Sequence, residues 1–197
     1  MTAKHPLVPL LEAIEAALGW LENAGIARVI VGGVAASLYG RPRATRDVDI
    51  VAIADESRWA NLVKSGERFG IWPRRADALD FAKTTRVLLL EHRPTSVEVD
   101  VSMAGMEFEI EMVASAQRLT LSGVEIPVAR PDDILIMKCL ALRPRDVADI
   151  EGILQVQEGL DLKRVRETLA QFSEILEKVD YVAEWDALVK RSNSKRE

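Results

Sequence analysis

Apolar side chains at Leu7, Leu10, Leu11, Ile14, Ala17, Leu18 and Leu21 recur at helical spacing, and Gly25 follows where a C-cap is expected. The pattern then shortens. Arg28–Val31 reads as a β-branched strand running into Gly32-Gly33, and Val34–Tyr39 as a short helix closed by Gly40 and Pro42. Val48, Ile50 and Ala52 alternate with Asp47, Asp49, Val51 and Ile53, which predicts a strand over Asp47–Ala54. Asp55 is placed to cap a helix reaching roughly Phe69. The stretch Arg74–Lys83 offers only a helical turn over Asp77–Lys83. Thr85–Glu91 and Ser96–Ser102 read as strands joined at His92-Arg93-Pro94-Thr95, which suits a hairpin. Gly105–Ala116 is helical in composition, and Leu119–Leu121 and Val124–Val128 flank a second hairpin signal, Ser122-Gly123. From Pro131 onward the period is helical, with helices expected over Asp132–Ala141, Asp146–Gln157, Leu162–Leu176 and Tyr181–Lys190. The charged tail Arg191–Glu197 is expected to fray.

Antiparallel hairpins interspersed with helices argue for an α+β fold rather than a regular βαβ winding. The seam with the helical last third falls near Arg130, so residues 1–130 read as a core and 131–197 as a helical region completing it. At 197 residues the length suits one domain, or one domain with a small helical appendage. No run reaches the ~18 apolar residues of a membrane span. The first apolar stretch carries Glu12 and Glu15 and lacks a cleavage pattern. The lone Cys139 has no disulfide partner in the chain, which points to a reducing, cytoplasmic setting. Lys plus Arg is 26 against 31 Asp plus Glu, a net charge of −5, which argues against coating nucleic acid by bulk charge.

The chemistry concentrates between Val31 and Ile50. Gly32-Gly33 ends a strand and opens a helix, where a backbone without Cβ atoms lets a phosphate approach the helix N-terminus. Asp47 and Asp49, at i and i+2 on a strand, point to one face. Two such carboxylates repel and are hard to keep ionised without a cation, and Mg²⁺ prefers carboxylates together with substrate phosphates. The pair and the glycine turn imply a joint ligand, a metal-bound nucleotide. A third carboxylate would complete a two-metal site. Asp100, flanked by Val99 and Val101, is the first choice, and Glu98 the alternative on the same face. Arg41, Arg43 and Arg46 crowd the approach to the pair and suit phosphate recognition.

Gly32-Gly33, Gly40, Arg43, Thr45, Asp47 and Asp49 resemble the signature of the polymerase-β-type nucleotidyltransferase superfamily, with Asp100 where its third metal-binding Asp falls. Pro131–Leu142, which carries Lys138, is similar to the Lys-bearing helix of the AbiEii-like branch, the toxins of type IV toxin–antitoxin pairs. Arg143–Ile150 is similar to that branch's Arg-x-Lys-Asp-x-x-Asp motif. Two departures stand out: Val34 occupies a position usually held by Ser or Thr, and Arg145 one usually held by Lys.

The resemblance implies a small mixed sheet flanked by helices, with a C-terminal helical layer. It also implies an enzyme that uses two Mg²⁺ ions and moves a nucleoside monophosphate from an NTP to an acceptor hydroxyl, releasing pyrophosphate. Asp47, Asp49 and Asp100 would hold the metals. Gly32, Gly33, Arg43, Thr45, Arg46, Lys138 and Asp146 would serve the nucleotide, with Lys138 on the triphosphate and Asp146 orienting Lys138 or the nucleophile. On that reading Lys138→Ala costs turnover and little stability, whereas a snorkelling Lys138 would give the reverse. The expected acceptor is tRNA or another macromolecule, with a cognate antitoxin as partner. The alternatives are transfer to a small molecule of aminoglycoside type, or a nucleotide-binding antitoxin-like protein without turnover. Arg74-Arg75 and the tail basic residues could touch RNA phosphates. His5 and His92 have no metal spacing, and the four tryptophans read as packing residues.

Overall fold

The period-two stretch at Asp47 is the middle of the sheet in the computed structural model, which describes residues 8–176 and 179–194. His5, Leu7 and the tail pair Lys195-Arg196 lie outside the described residues. Strand β2 (Asp47–Ile53) buries Val48, Ile50 and Ala52 completely on one face, and β5 (Val97–Met103) does the same with Val99 and Val101. Their opposite faces carry Asp47 and Asp49, and Glu98 and Asp100. Because side chains alternate, this one burial preference sets the register and gathers the carboxylates on the other face.

Around this pair the strands β1 (Ala27–Ile30), β3 (Ile71–Pro73), β4 (Val87–His92), β6 (Gln117–Leu121) and β7 (Val124–Val128) complete a seven-stranded sheet ordered β3-β4-β5-β2-β1-β7-β6. β2 runs parallel to β5 and β1 to β7, while the remaining pairs are antiparallel, so the sheet is mixed. Both expected hairpins are present, β4–β5 and β6–β7. Helices α1 (Val8–Asn23) and α5 (Glu107–Ala114) pack on its inner strands. A further helix, α3 (Glu56–Gly66), follows β2 and passes into a 3-10 turn, Glu67–Phe69. Asp55 stands at its N-cap without a side-chain cap bond. Trp20 and Trp59 are buried with their ring N–H groups satisfied, on Leu62 O and Ser65 Oγ, and on Ala54 O. Trp72 instead lies part-buried under the Arg93 guanidinium.

The featureless stretch after Gly70 contains β3 and α4 (Ala78–Thr85), longer than the single turn expected. The helical last third is α6 (Pro131–Ala141), α7 (Pro144–Val156), α8 (Leu162–Leu176) and α9 (Tyr181–Ser194). α7 starts two residues early because Pro144 takes the first helical position and the Asp146 carboxylate accepts from the Arg143 backbone N–H at 3.1 Å. α9 continues past Lys190 to Ser194.

The chain divides into two compact units. Residues up to Val34, with Ala44–Ala129, form the sheet unit; Ala35–Arg43, with the chain from Arg130, forms the helical unit. Helix α2 (Gly32–Tyr39) begins in the first and continues in the second. Whereas the sequence reading drew one boundary at 130, Ala35–Arg43 joins the helical unit through specific bonds. Gln157 Nε2 donates to Tyr39 O at 2.7 Å, and Arg41 to Gln155 Oε1 at 2.7 Å. A Cβ on Gly40 would stand 3.0 Å from Ile153 N, so a side chain there would push the two backbones apart by a few tenths of an ångström.

Candidate functional site

In the sheet unit, β2 and β5 set Asp49 directly beside Asp100, and Asp47 beside Glu98. Four carboxylates thus share one face of two adjacent strands. Gly32 adds a tight backbone approach. Its φ is +62°, in the left-handed region, and a Cβ there would overlap the Asp49 carboxylate. Val31 N–H donates to Asp49 O at 3.0 Å, fixing the glycine turn to the acidic strand. Thr45 donates its hydroxyl to Asp47 Oδ1 at 2.8 Å, while Arg46 is exposed beside it. Val34, in the position usual for Ser or Thr, is buried and packs as core.

Arg74, just past β3, reaches into this face. Its backbone N–H donates to Leu89 O at 3.0 Å, and Leu89 is the cross-strand partner of Asp100. From there its guanidinium spans β4, binding Asp100 through one terminal nitrogen and Glu98, at 2.5 Å, through the other. Arg74 Nε is buried and has no hydrogen-bond partner. Burial pushes the Asp100 pKa above the usual carboxylate range; Arg74 offsets only part of this, and the Glu98 and Asp47 carboxylates push the same way.

A divalent cation of the Mg²⁺ type is suited by the chemistry of this donor set, which is all carboxylate oxygen. The missing Cβ of Gly32 lets the Asp49 carboxylate lie directly against the turn. The side chains themselves are not gathered for coordination: among the described residues no group of three or more His, Cys, Asp or Glu could hold a metal ion. The guanidinium of Arg74 stands on one of the donors instead. Asp47, Asp49 and Asp100 would hold the ion once that contact is given up.

The helical unit holds a second polar group. Lys138, expected among apolar neighbours of α6, is buried, and its Nζ lies 2.8 Å from both Asp146 Oδ1 and Asp149 Oδ2 of α7. Arg43 grips Asp149 with two bonds, 2.8 and 2.9 Å, and Arg143 Nε reaches Asp146 at 2.8 Å. Asp146 and Asp149 sit three apart on one helical face, so one ammonium reaches both. Burial pushes their pKa values up. The hydrogen bonds from Lys138, with Arg143 on one and Arg43 on the other, outweigh it and hold both below the usual range. Lys138 thus neither snorkels to solvent nor stands unpaired.

The expected site residues fall into two sets. Gly32, Gly33, Thr45, Arg46, Asp47, Asp49 and Asp100 belong to the sheet unit, and Arg43, Lys138 and Asp146 to the helical one. The sequence reading missed Arg74 as a partner of Asp100, since it lies in the stretch where no strand was discernible. His92 is buried against Thr95 Oγ1 at 2.8 Å, a hairpin contact. Cys139 is buried, which pushes its thiol up to about 12. Among the described residues, no helix is long and apolar enough to cross a membrane.

The fold is that of the polymerase-β-like nucleotidyltransferases. It is similar to an antigenic nucleotidyltransferase-like protein from Paracoccidioides brasiliensis (TM-score 0.54, 19% identity, 91% of this chain and 92% of that one). It is also similar to the antibiotic-resistance factor ANT(2'')-Ia (TM-score 0.60, 14% identity, 85% and 95%). A third likeness is to LnuA, a lincosamide antibiotic adenylyltransferase (TM-score 0.51, 15% identity, 75% and 97%). No curated protein matches the sequence. A family model covers residues 7–196, almost the whole chain, and by that match the chain belongs to the family described as nucleotidyltransferase of unknown function, DUF6036.

Proposed function

We propose that this protein is a metal-dependent nucleotidyltransferase that moves a nucleoside monophosphate from an NTP to a hydroxyl of a small molecule. The observation that carries this reading is the β2–β5 register, which sets Asp49 beside Asp100 under a glycine turn that admits no side chain. The acceptor hydroxyl gives up its proton to solvent, its oxygen bonds to the α-phosphorus, the bond from that phosphorus to the β-phosphate bridge breaks, and pyrophosphate leaves. Divalent cations, when bound, supply a more acidic acceptor hydroxyl and charge neutralisation for the triphosphate. Asp47, Asp49 and Asp100 supply the oxygen donors for them, and the glycine turn at the α2 N-terminus offers backbone N–H groups to phosphate oxygens. The nucleotide-binding roles of Arg43, Thr45, Arg46, Lys138 and Asp146 are part of the same proposal.

The small-molecule acceptor has support from the likeness to ANT(2'')-Ia and LnuA, both of them named for antibiotics. The macromolecular, AbiEii-like reading rests on the resemblance of Pro131–Leu142 and Arg143–Ile150 alone, and is the second choice. Pyrophosphate release should be measured from each NTP with Mg²⁺, against aminoglycosides, lincosamides and tRNA. Transfer to a small molecule, lost in Asp49→Asn, is the expected result. Label appearing in RNA would overturn the acceptor class. No pyrophosphate with any acceptor would overturn the enzyme reading.

A further inference from the structure

Arg74 lies on the carboxylate face and binds two carboxylates of β5 at once. A guanidinium has five donors in a fixed fork and no acceptor, so it can serve two carboxylates together. Arg74 Nε is buried without a partner. Only the two terminal nitrogens are bonded, one to Asp100 and one to Glu98. These acceptors differ. The Asp100 side chain is 30% exposed, and Glu98, two residues back on the same face, is 57% exposed. The contact with Asp100 is therefore the more desolvated of the two, and Glu98 offers the guanidinium a solvated partner to keep if Asp100 is withdrawn.

Resting on the carboxylate-site reading above, we propose that Arg74 is the resident counter-ion of Asp100 and competes with a divalent cation for it. Guanidinium and metal both draw on the Asp100 carboxylate, and two positive charges on one carboxylate repel strongly. When a cation takes Asp100, Arg74 swings back onto Glu98. Metal entry is thus set by the release of one side chain, and Arg74 is a positioning residue rather than a catalytic one. This accounts for a face that has the right donors yet is not gathered for coordination.

The test is binding of Mn²⁺ alone, titrated by electron paramagnetic resonance into the full chain without nucleotide, so that no turnover is needed. Arg74→Gln should raise Mn²⁺ affinity by about tenfold, and Asp100→Asn added to it should remove the gain. Glu98→Gln should act in the opposite direction, lowering affinity by about threefold, because Arg74 then has only Asp100 to hold. Opposite signs follow from charge alone, so the deciding arm is Glu98→Gln in the Arg74→Gln background. Its effect on affinity should shrink there, because no guanidinium remains to be shared. Arg75→Gln removes a neighbouring charge that is bonded to Asp77 instead, and should leave affinity unchanged. Melting curves establish that each variant is folded, and Arg74→Lys, which keeps the charge without the fork, should fall between wild type and Arg74→Gln. Equal affinity in wild type and Arg74→Gln, or an equal rise in Arg75→Gln, would overturn the proposal alone. No Mn²⁺ bound by any variant would overturn it together with the carboxylate site. Gated Mn²⁺ binding without nucleotide transfer would leave the gate standing and defeat the enzyme reading only.

Discussion

At Gly32 two independent constraints meet. The backbone is left-handed, and the space where a Cβ would sit is taken by the Asp49 carboxylate. A Gly32→Ala chain must move either the turn or the acid. It should lose about 1–3 kcal/mol of stability in urea unfolding, the cost typical of a non-glycine residue forced into this region. Nucleotide transfer should fall further than stability, since Asp49 is displaced. Unchanged stability would mean that the turn relaxes freely. Lys138 shows the same dependence on context. From sequence alone, removing it should cost little stability. With its ammonium shared by Asp146 and Asp149, both buried, its removal strands two carboxylates. Lys138→Met should destabilise the protein by about 3 kcal/mol, the low end for breaking a buried pair, because Arg43 and Arg143 still hold one carboxylate each. A small loss of stability with a large loss of turnover would instead favour the triphosphate role.

At the scale of elements, the start of α7 is a pH-sensitive joint. Asp146 and Asp149 have pKa values below those of an unfolded chain, so each contributes stability that is fully present above about pH 4. That contribution is lost as pH falls through the folded values, so wild-type stability should drop steeply below pH 4. Asp149→Asn should be less stable at pH 7 and show a shallower acid limb. Parallel acid limbs in the two proteins would show that Asp149 carries no such linkage. How legible elements were in the sequence follows from the same kind of detail. β2, β5 and both hairpins could be read because alternation or turn residues mark them. β3 could not, since three residues carry no period and Trp72-Pro73 is an unusual strand core. Asp47 with Asp49, and Glu98 with Asp100, could each be read as sharing a face, because a strand has only two faces; that β2 lies beside β5 is a long-range fact. The Arg74 contact was not legible, because it depends on which strand lies beside β4, a long-range fact too. The Lys138 ion pairs required a helix-to-helix register that no periodicity encodes.

For the whole molecule, the net charge of −5 sharpens what ligand binding should look like. An NTP is itself strongly anionic, and bound as proposed it would meet Asp47, Asp49, Glu98 and Asp100. Without a divalent cation these like charges oppose binding; with one, the same carboxylates favour it. Anything that binds the folded state alone raises its stability by mass action, by about 2.7 kcal/mol at a hundred times the dissociation constant. Nucleotide alone and Mg²⁺ alone should therefore each move the melting temperature little, and the two together by more than the sum of their separate shifts. Asp47→Asn should abolish the joint shift while leaving the unliganded melting temperature close to that of wild type, since Asp47 is exposed. A chelator should reverse the shift in full. If the nucleotide raised the melting temperature equally in chelator, it would be bound away from the carboxylates, and the four acids on β2 and β5 would need another explanation.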